Sequence, residues 1–366
     1  MKIAWRNLLK DKTRLALSIG GVALAVMLIL LLNGFLNGMY AQVSAYLNHA
    51  PGSLVVAQDG VSNLLAVSSQ LPASAAPSAV KARGAAKVVP ILSQFVILDL
   101  HGKKQPVYLI GYDPQIGGGP WQMSVGREPR SDKEVVFDRI LAQRYDIALG
   151  DTVEIMDRDF TVVGLSEGTN SWMTSFIFIR KTAAEMLWRA PGATSFLLVA
   201  SSDRIGDEEL RERLRDLSGI QVTPKREVIA NDLNLFTKFF SAPIQLMAAI
   251  AFLVGALVVG LVIYTATVER QREYGVLKAI GARNGLLYRV VTIQALIAAG
   301  AGSTLGVAFA FGAAQVIMSL RPQFLIVYEP MAVAQSLGAG VAMALISALF
   351  PARVVAGLAP AEVFRK

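Results

Sequence analysis

The sequence contains no cysteine and only two histidines among its 366 residues. Without cysteine, the chain cannot form a disulfide framework or a thiolate metal site. His49 and His101 are far apart in the sequence and lack the short spacing of zinc ligands, so we expect neither to bind a metal. The sequence also lacks a GxxxxGKS/T phosphate loop and any pattern typical of a catalytic triad. These absences predict that the chain is not an enzyme, does not hydrolyse ATP itself and uses no cofactor.

Charged residues are scarce, at 17% of the sequence, whereas soluble domains carry about 25%. Four long windows contain no charged residue: those between Arg14 and Asp59, from Phe239 to Val268, from Val290 to Leu320, and from Pro330 to Ala352. A helix that crosses the roughly 30 Å core of a bilayer needs about 20 apolar residues. Because all four windows are long enough, the composition favours a multi-pass membrane protein over a soluble one.

These windows predict four transmembrane helices, at residues 15–36, 243–265, 287–318 and 332–350. A secretory signal peptide is the alternative for the first, but its apolar run is too long and no convincing cleavage site follows. We therefore expect an uncleaved anchor, preceded by a cytoplasmic amphipathic segment at residues 1–14. Small residues allow close packing between membrane helices. The glycines expected to serve this role are Gly255, Gly260, Gly302, Gly306, Gly338 and Gly340.

The net positive charge is confined to three short segments. Residues 1–14 contain five Lys or Arg against one acid, residues 266–289 contain five against two, and residues 351–366 contain three against one. The long segment 40–241 has 21 basic and 22 acidic residues, and the short loop 319–331 has one of each. The positive-inside rule then predicts that both termini and the loop 266–289 lie in the cytoplasm, and that the segments 40–241 and 319–331 lie outside it. Topology alone explains the basic balance, and we expect no nucleic-acid partner.

Residues 40–241 are predicted to form a large extracytoplasmic α+β domain between the first and second membrane helices. Short segments rich in β-branched and aromatic residues predict strands. They lie at 53–57, 94–100, 106–112, 134–137, 151–155, 160–165, 175–179 and 195–200. Helices are expected at 138–146, 181–188 and 206–217, and the Ser-, Ala- and Pro-rich stretch 60–84 is expected to be a flexible loop. Trp121, Trp172 and Trp188 are better explained by packing than by a binding surface.

Residues 266–286 form the predicted cytoplasmic loop, a candidate coupling segment with helical propensity. Val276, Leu277 and Ile280 would give an apolar ridge, while Gly275 and Gly281 would allow close approach and helix termination. Such a helix suits docking in a groove of a partner protein. An ordinary loop at the membrane surface fits these residues equally well.

The same loop resembles the coupling segment of MacB/FtsX-type permeases, also called type VII ABC transporters. Their pattern is E-R-x-x-E-x-G-x-L-R/K-A-x-G-A. The matching residues are Glu269, Arg270, Glu273, Gly275, Leu277, Lys278, Ala279, Gly281 and Ala282. Tyr274 replaces an aliphatic residue of the pattern. The tail is similar to the family ending through Pro351, Ala352, Ala356, Pro360, Glu362 and Arg365, and the N-terminus resembles the family's R-N-L entry to the first helix.

The resemblance implies a permease subunit of the bacterial inner (plasma) membrane that works with two copies of a separate cytosolic ABC ATPase. It also implies a second permease (a homodimer or a similar subunit), contact with membrane lipids, and leaves open a periplasmic adaptor. The candidate ATPase-coupling residues are Glu269, Arg270, Glu273, Gly275, Leu277, Lys278, Gly281 and Ala282. The implied function is export or extraction of a lipid, lipoprotein, peptide or small molecule through mechanical movement of the outer domain. The alternatives are a signalling subunit that activates a cell-wall hydrolase or sensor, and an anchored binding module without an ATPase.

Overall fold

The structure, a computed structural model, describes residues 12–171, 174–215, 217–269 and 271–357. The helices are α1 (Lys12–His49), α2 (Ala75–Lys81), α3 (Arg139–Arg144), α4 (Lys181–Leu187), α5 (Asp207–Arg215), α6 (Lys225–Glu269), α7 (Gln271–Ala279), α8 (Asn284–Leu320) and α9 (Pro330–Gly357). The strands are β1 (Leu54–Gln58), β2 (Ala85–Leu100), β3 (Lys103–Tyr112), β4 (Met123–Gly126), β5 (Glu134–Asp138), β6 (Thr152–Ile155), β7 (Arg158–Ser166), β8 (Ser175–Arg180), β9 (Phe196–Ser201) and β10 (Ile220–Pro224).

Four helices, α1, α6, α8 and α9, are long and apolar enough to cross a membrane. A large α+β region lies between the first and the second of them. The predicted fold class is therefore confirmed. The helices extend beyond the predicted membrane segments: α1 continues to His49 and α6 begins at Lys225.

The apolar helices pack closely where glycine replaces a side chain. A Cβ placed on Gly306 of α8 would lie 2.6 Å from the carbonyl oxygen of Ala23 in α1, and a Cβ on Gly255 of α6 would lie 2.5 Å from the Cβ of Ala25. A Cβ on Gly302 or on Gly340 would be equally crowded, as expected because small residues allow membrane helices to approach closely. The prediction is wrong for Gly260 and Gly338, because a Cβ on Gly260 would make only ordinary contacts and Gly338 has open space around it.

Residues 39–239 and 322–325 form one compact unit, here called the α+β unit. Its strands follow the order β10-β1-β9-β2-β3-β8-β5-β7-β4, with β6 paired to β7. Strand β2 joins the two halves of this sheet, because its first part pairs with β9 and its second part with β3. Helices α3 and α4 pack on one half and contribute to a core with Phe137, Ile177 and Val162, while α2 and α5 contribute to the core of the other half.

Three features of the α+β unit differ from the sequence predictions. The stretch 60–84, expected to be a flexible loop, contains helix α2, whose Ala75 and Ala79 are buried against Leu210 and Leu214 of α5. Alanine spacing on a short helix gave too weak a periodic signal to find it. Strands β4 and β10 were not predicted, and β2 begins at Ala85, well before the predicted residue 94.

The loop that follows α8 adds a short segment to the α+β unit. The side-chain amide nitrogen of Gln42 donates to the carbonyl oxygen of Gln323 at 3.1 Å, and that of Asn170 donates to the same oxygen at 3.4 Å. Residues 322–325 belong to this unit although they lie more than 80 residues after α6 begins. No sequence pattern in the short loop indicated this contact.

Candidate coupling segment

Helix α7 is short, and a glycine with a left-handed backbone, Gly281, follows its last turn. The backbone nitrogen of Ile280 donates to the carbonyl oxygen of Val276 at 3.1 Å, and that of Gly281 donates to Lys278 at 3.0 Å. Gly281 has a φ of 96°, a conformation that side chains with a Cβ rarely adopt. A glycine in this position is a common way to end an α-helix. The next helix, α8, then begins at Asn284.

One side of α7 faces the chain itself. Tyr274 is buried, with 4% of its surface exposed, and Gly275 is buried beside it. Gly275 was predicted to allow close approach, and its burial places atoms of the same chain next to it. The aromatic residue that departs from the family pattern therefore packs inward.

The opposite side of α7 is exposed and mixes apolar and charged residues. Val276 is 42% exposed and Ile280 is 76% exposed, one helical turn apart. Arg272, Glu273 and Arg283 are exposed around them. Residues four apart lie on the same face of a helix, so Val276 and Ile280 form a single apolar ridge. We call these two side chains the α7 ridge.

The remaining predicted coupling residues have different placements. Glu269 is exposed at the end of α6, Lys278 is half-buried, and both have interaction partners. Ala282 is half-buried and follows the terminating glycine. Arg270 lies outside the described residues, and so does the side chain of Leu277.

Both ends of the family pattern also reach beyond the described residues. Helix α9 continues through Pro351 to Gly357, and Pro351 and Ala352 are buried. Pro360, Glu362 and Arg365 lie outside the described residues, and so do residues 1–11 of the predicted amphipathic segment 1–14. Proline in the body of α9 removes one backbone hydrogen bond of the helix.

Three ionisable residues of the α+β unit, Arg127, Glu134 and Asp138, form contacts that stabilise its own fold. Arg127 forms a paired hydrogen bond with Glu134, with both nitrogen–oxygen distances at 2.8 Å, and this partner lowers the pKa of Glu134 to about 2. Asp138 is fully buried and accepts from the backbone nitrogen of Leu141 at 2.8 Å, where it caps α3. Burial raises the pKa of Asp138 to about 6. Among the described residues, no cluster of His, Asp and Glu could hold a metal ion.

His49 and Trp121 also have structural partners. Their rings are stacked, with centroids 4.8 Å apart and an angle of 6° between the planes. Trp188 is partly buried against the core of the α+β unit. Trp172 lies outside the described residues. Packing, as predicted, accounts for the two tryptophans that the structure describes here.

Comparison with known families matches two regions of the chain. Residues 15–217, more than half of the sequence, match the MacB-like periplasmic core domain. Residues 246–360 match the FtsX-like permease C-terminal domain. The chain belongs to the MacB/FtsX family of ABC transporter permeases. It is a multi-pass membrane protein, and membership implies a cytosolic ATPase as its partner.

Two relatives align with most of this permease, and a third aligns with less than half of it. An uncharacterised ABC transporter permease of Mycobacterium tuberculosis is 26% identical over 361 residues, which cover 97% of this chain and 95% of the relative. A protein of Staphylococcus haemolyticus, named as the hemin transport system permease HrtB, is 22% identical and covers 88% of this chain and 87% of its own length. The macrolide export ATP-binding/permease protein MacB of a Shewanella species is 26% identical over 43% of this chain and 24% of its own length.

Two solved structures were also matched. The periplasmic region of MacB from Actinobacillus actinomycetemcomitans aligns with 50% of this chain and 94% of its own, at 17% identity and a TM-score of 0.39. The extracellular domain of the transporter YknZ from Gram-positive bacteria aligns with 47% of this chain and 98% of its own, at 13% identity and a TM-score of 0.37.

Proposed function

We propose that this permease transmits the movement of a cytosolic ATPase to its α+β unit and thereby exports or extracts a small or lipid-like molecule. Two ATPase copies would bind beneath two permeases, in a homodimer or with a similar subunit. Each ATPase would contact the exposed side of α7. Closure of the ATPase pair would then displace α7 and with it the helices α6 and α8 that flank it in the chain.

The observation that carries this proposal is the α7 ridge. Two exposed aliphatic side chains on one face of a short helix, with charged residues around them, form a surface that a partner can cover. The ridge has the i, i+4 spacing that helices use when they dock into grooves. The glycine end of α7 keeps the helix short and separate from α8, so that a force on α7 acts at the junction of two apolar helices.

Charge supports the orientation that this mechanism needs. The segment 266–289, which includes α7, has five basic residues against two acids, as expected for a cytoplasmic loop. The segments 40–241 and 319–331 lack net positive charge. Residues 322–325 belong to the α+β unit, and this supports placing both segments on the same side of the membrane, outside the cytoplasm.

The printed names of relatives favour transport over signalling. One relative is named for hemin transport and another for macrolide export. Both names describe movement of a molecule with large apolar parts. We therefore propose an amphiphilic or apolar molecule as the substrate class of this permease as well.

The test is co-purification of the permease with the ABC ATPases of its own cell, followed by measurement of ATP hydrolysis by the bound ATPase in lipid nanodiscs. A stable complex whose hydrolysis depends on the permease is expected. A permease that binds no cellular ATPase would overturn the mechanism and would favour an anchored binding module. An ATPase that hydrolyses ATP at the same rate with and without the permease would show that α7 does not transmit regulation.

A further inference from the structure

A cavity of about 260 Å³ lies within the α+β unit. It is bounded by the last turns of α1, the loop after β1, the hairpin of β2 and β3, and the first turns of α6. The apolar residues that line it are Val43, Leu65, Phe95, Phe176, Leu235 and Phe236. An apolar cavity of about 150 Å³ can hold a benzene molecule. This cavity has room for a larger apolar group.

The polar residues at the cavity are already bonded to the protein. Both carboxylate oxygens of Asp232 accept from the backbone nitrogen of Leu64 at 3.2 Å. The hydroxyl of Thr174 donates to the carbonyl oxygen of Pro106 at 3.3 Å, and the amide of Gln42 donates to Gln323 at 3.1 Å. Because these groups are used within the protein, the cavity presents mainly hydrocarbon to a ligand.

An apolar strip continues from the cavity along one face of the β2–β3 hairpin. Phe95 and Ile97 point to this face and are 47% and 68% exposed, while the alternating Val96 and Leu98 are buried. Ile97 lies opposite Pro106, which also lines the cavity. Exposure of large apolar side chains to water is unfavourable, so a molecule that covers this face of the hairpin would be stabilised there.

The strip ends at a pair of opposite charges. Asp99 lies opposite Lys104 in the next position on the same face, and the Nζ of Lys104 lies 2.9 Å from the carboxylate of Asp99. Successive residues on one face of a strand are about 6.6 Å apart, so roughly 13 Å separate Phe95 from Asp99. The face therefore changes from an apolar cavity, through an apolar strip, to an ion pair in water.

We propose that the cavity and strip bind the alkyl chain of an amphiphile, with its polar end beside Asp99 and Lys104. An elongated apolar surface with a charged end fits a chain better than a compact ring. The carboxylate of Asp99 can accept a hydrogen bond from a polar headgroup, and the ammonium group of Lys104 can donate one to it. The proposal names the substrate class of the transporter and in that sense rests on the proposed function, but the binding itself needs neither ATP nor the ATPase.

The natural absence of cysteine makes a direct test possible in the full chain. We would place a single cysteine in the cavity (Leu65→Cys) and, as a control, on the exposed surface of β4 (Val125→Cys), where the natural valine is 51% exposed. Each variant in lipid nanodiscs would react with methyl and decyl methanethiosulfonate, and intact mass would give the two rates. The ratio of decyl to methyl rates corrects for thiol reactivity, and comparison of the two variants corrects for reagent dissolved in lipid.

The expected ratio at residue 65 exceeds that at residue 125 by about tenfold or more, because burial of only two methylene groups has about this effect. Adding Leu235→Trp should fill the cavity and remove the difference. Adding Ile97→Gln, at an exposed position where folding is not at risk, should reduce the ratio several-fold.

Equal ratios at residues 65 and 125 would overturn the proposal and leave the strip to a protein partner. If neither Leu235→Trp nor Ile97→Gln lowers the ratio of decyl to methyl rates at residue 65, the proposal is overturned as well, since the alkyl chain would then bind elsewhere. These rates are measured without ATP, so a failure of the ATPase experiment would refute the transport mechanism without changing them.

Discussion

Gly302 of α8 approaches Val22 of α1 so closely that a Cβ on the glycine would lie 2.7 Å from the Cβ of the valine. It would also lie 2.8 Å from the carbonyl oxygen of Ile19, which belongs to the backbone and cannot turn away. Gly302→Ala should therefore separate the two helices. We expect a loss of roughly 1–3 kcal/mol, typical of overpacking. The measurement is the thermal unfolding midpoint of the purified permease in detergent.

Gly300 provides a matched control on the same helix. A Cβ at this position would meet no atom within 4 Å, so Gly300→Ala adds the same methyl group without a clash. Its midpoint should stay close to that of the natural protein, or rise because alanine favours helix. Equal midpoints for the two variants would contradict the close packing of α1 and α8.

The α7 ridge should carry the ATPase contact. Ile280 is 76% exposed, so Ile280→Asp should leave folding unchanged while placing a charge at the centre of an apolar contact. We expect ATPase affinity to fall by roughly 30-fold or more, as at a central contact residue. Binding of the ATPase to the permease in nanodiscs would be measured by fluorescence. The same change at Val125, an exposed residue of β4, should have no effect.

Glu273 lies beside this ridge and should contribute through charge. Glu273→Lys reverses an exposed charge on α7 and is expected to slow association with the ATPase, with a smaller effect than Ile280→Asp. The salt dependence of the association rate should change with it. Glu154→Lys reverses an exposed charge in the α+β unit and serves as the control. If Glu273→Lys associates with the ATPase as fast as Glu154→Lys does, Glu273 is not part of the coupling surface.

The helices and strands of this protein could be predicted from the sequence where consecutive residues carry one clear physical pattern. The four apolar helices followed from runs without charge, and eight strands from short β-branched segments. Helix α2 escaped because only two alanines, Ala75 and Ala79, mark its buried face. The cavity beside Phe95 could not be predicted, since its walls come from segments that lie far apart in the sequence. The inward position of Gly275 depends on packing that no local pattern encodes.

Asp138 should make the stability of the α+β unit depend on pH. Burial raises its pKa to about 6, so the folded protein holds a proton that the unfolded chain releases near pH 4. The contribution of this group to stability is therefore greatest below pH 4 and falls as the pH rises to about 6. The difference amounts to about 3 kcal/mol.

Asp138→Asn should remove this pH dependence. Asparagine is neutral and can still accept the hydrogen bond from Leu141 that caps α3. Relative to the natural protein, the variant should gain stability as the pH rises from 4 to 6. Unfolding midpoints followed by tryptophan fluorescence at several pH values would measure the difference. A constant difference between the two proteins across this range would rule out titration of Asp138.

Glu134 should have the opposite dependence at lower pH. Arg127 and the backbone nitrogens of Arg130 and Ser131 bind its carboxylate, and the arginine is the main reason that its pKa falls to about 2. The stability that this group contributes is complete above about pH 4.5 and is lost as the pH falls towards 2. Because the arginine side chain is 40% exposed, solvent screening limits the contribution to about 1–2 kcal/mol.

Glu134→Gln should therefore lower the unfolding midpoint at pH 7, and the gap should narrow as the pH falls below 4. Glu208→Gln is the control, since its carboxylate lies 3.3 Å from Arg211 and its side chain is 71% exposed. We expect that control to change stability by less than about 0.5 kcal/mol. A gap that stays constant for Glu134→Gln from pH 7 to pH 3 would mean that the lost contact is steric, and that the ion pair with Arg127 contributes nothing through charge.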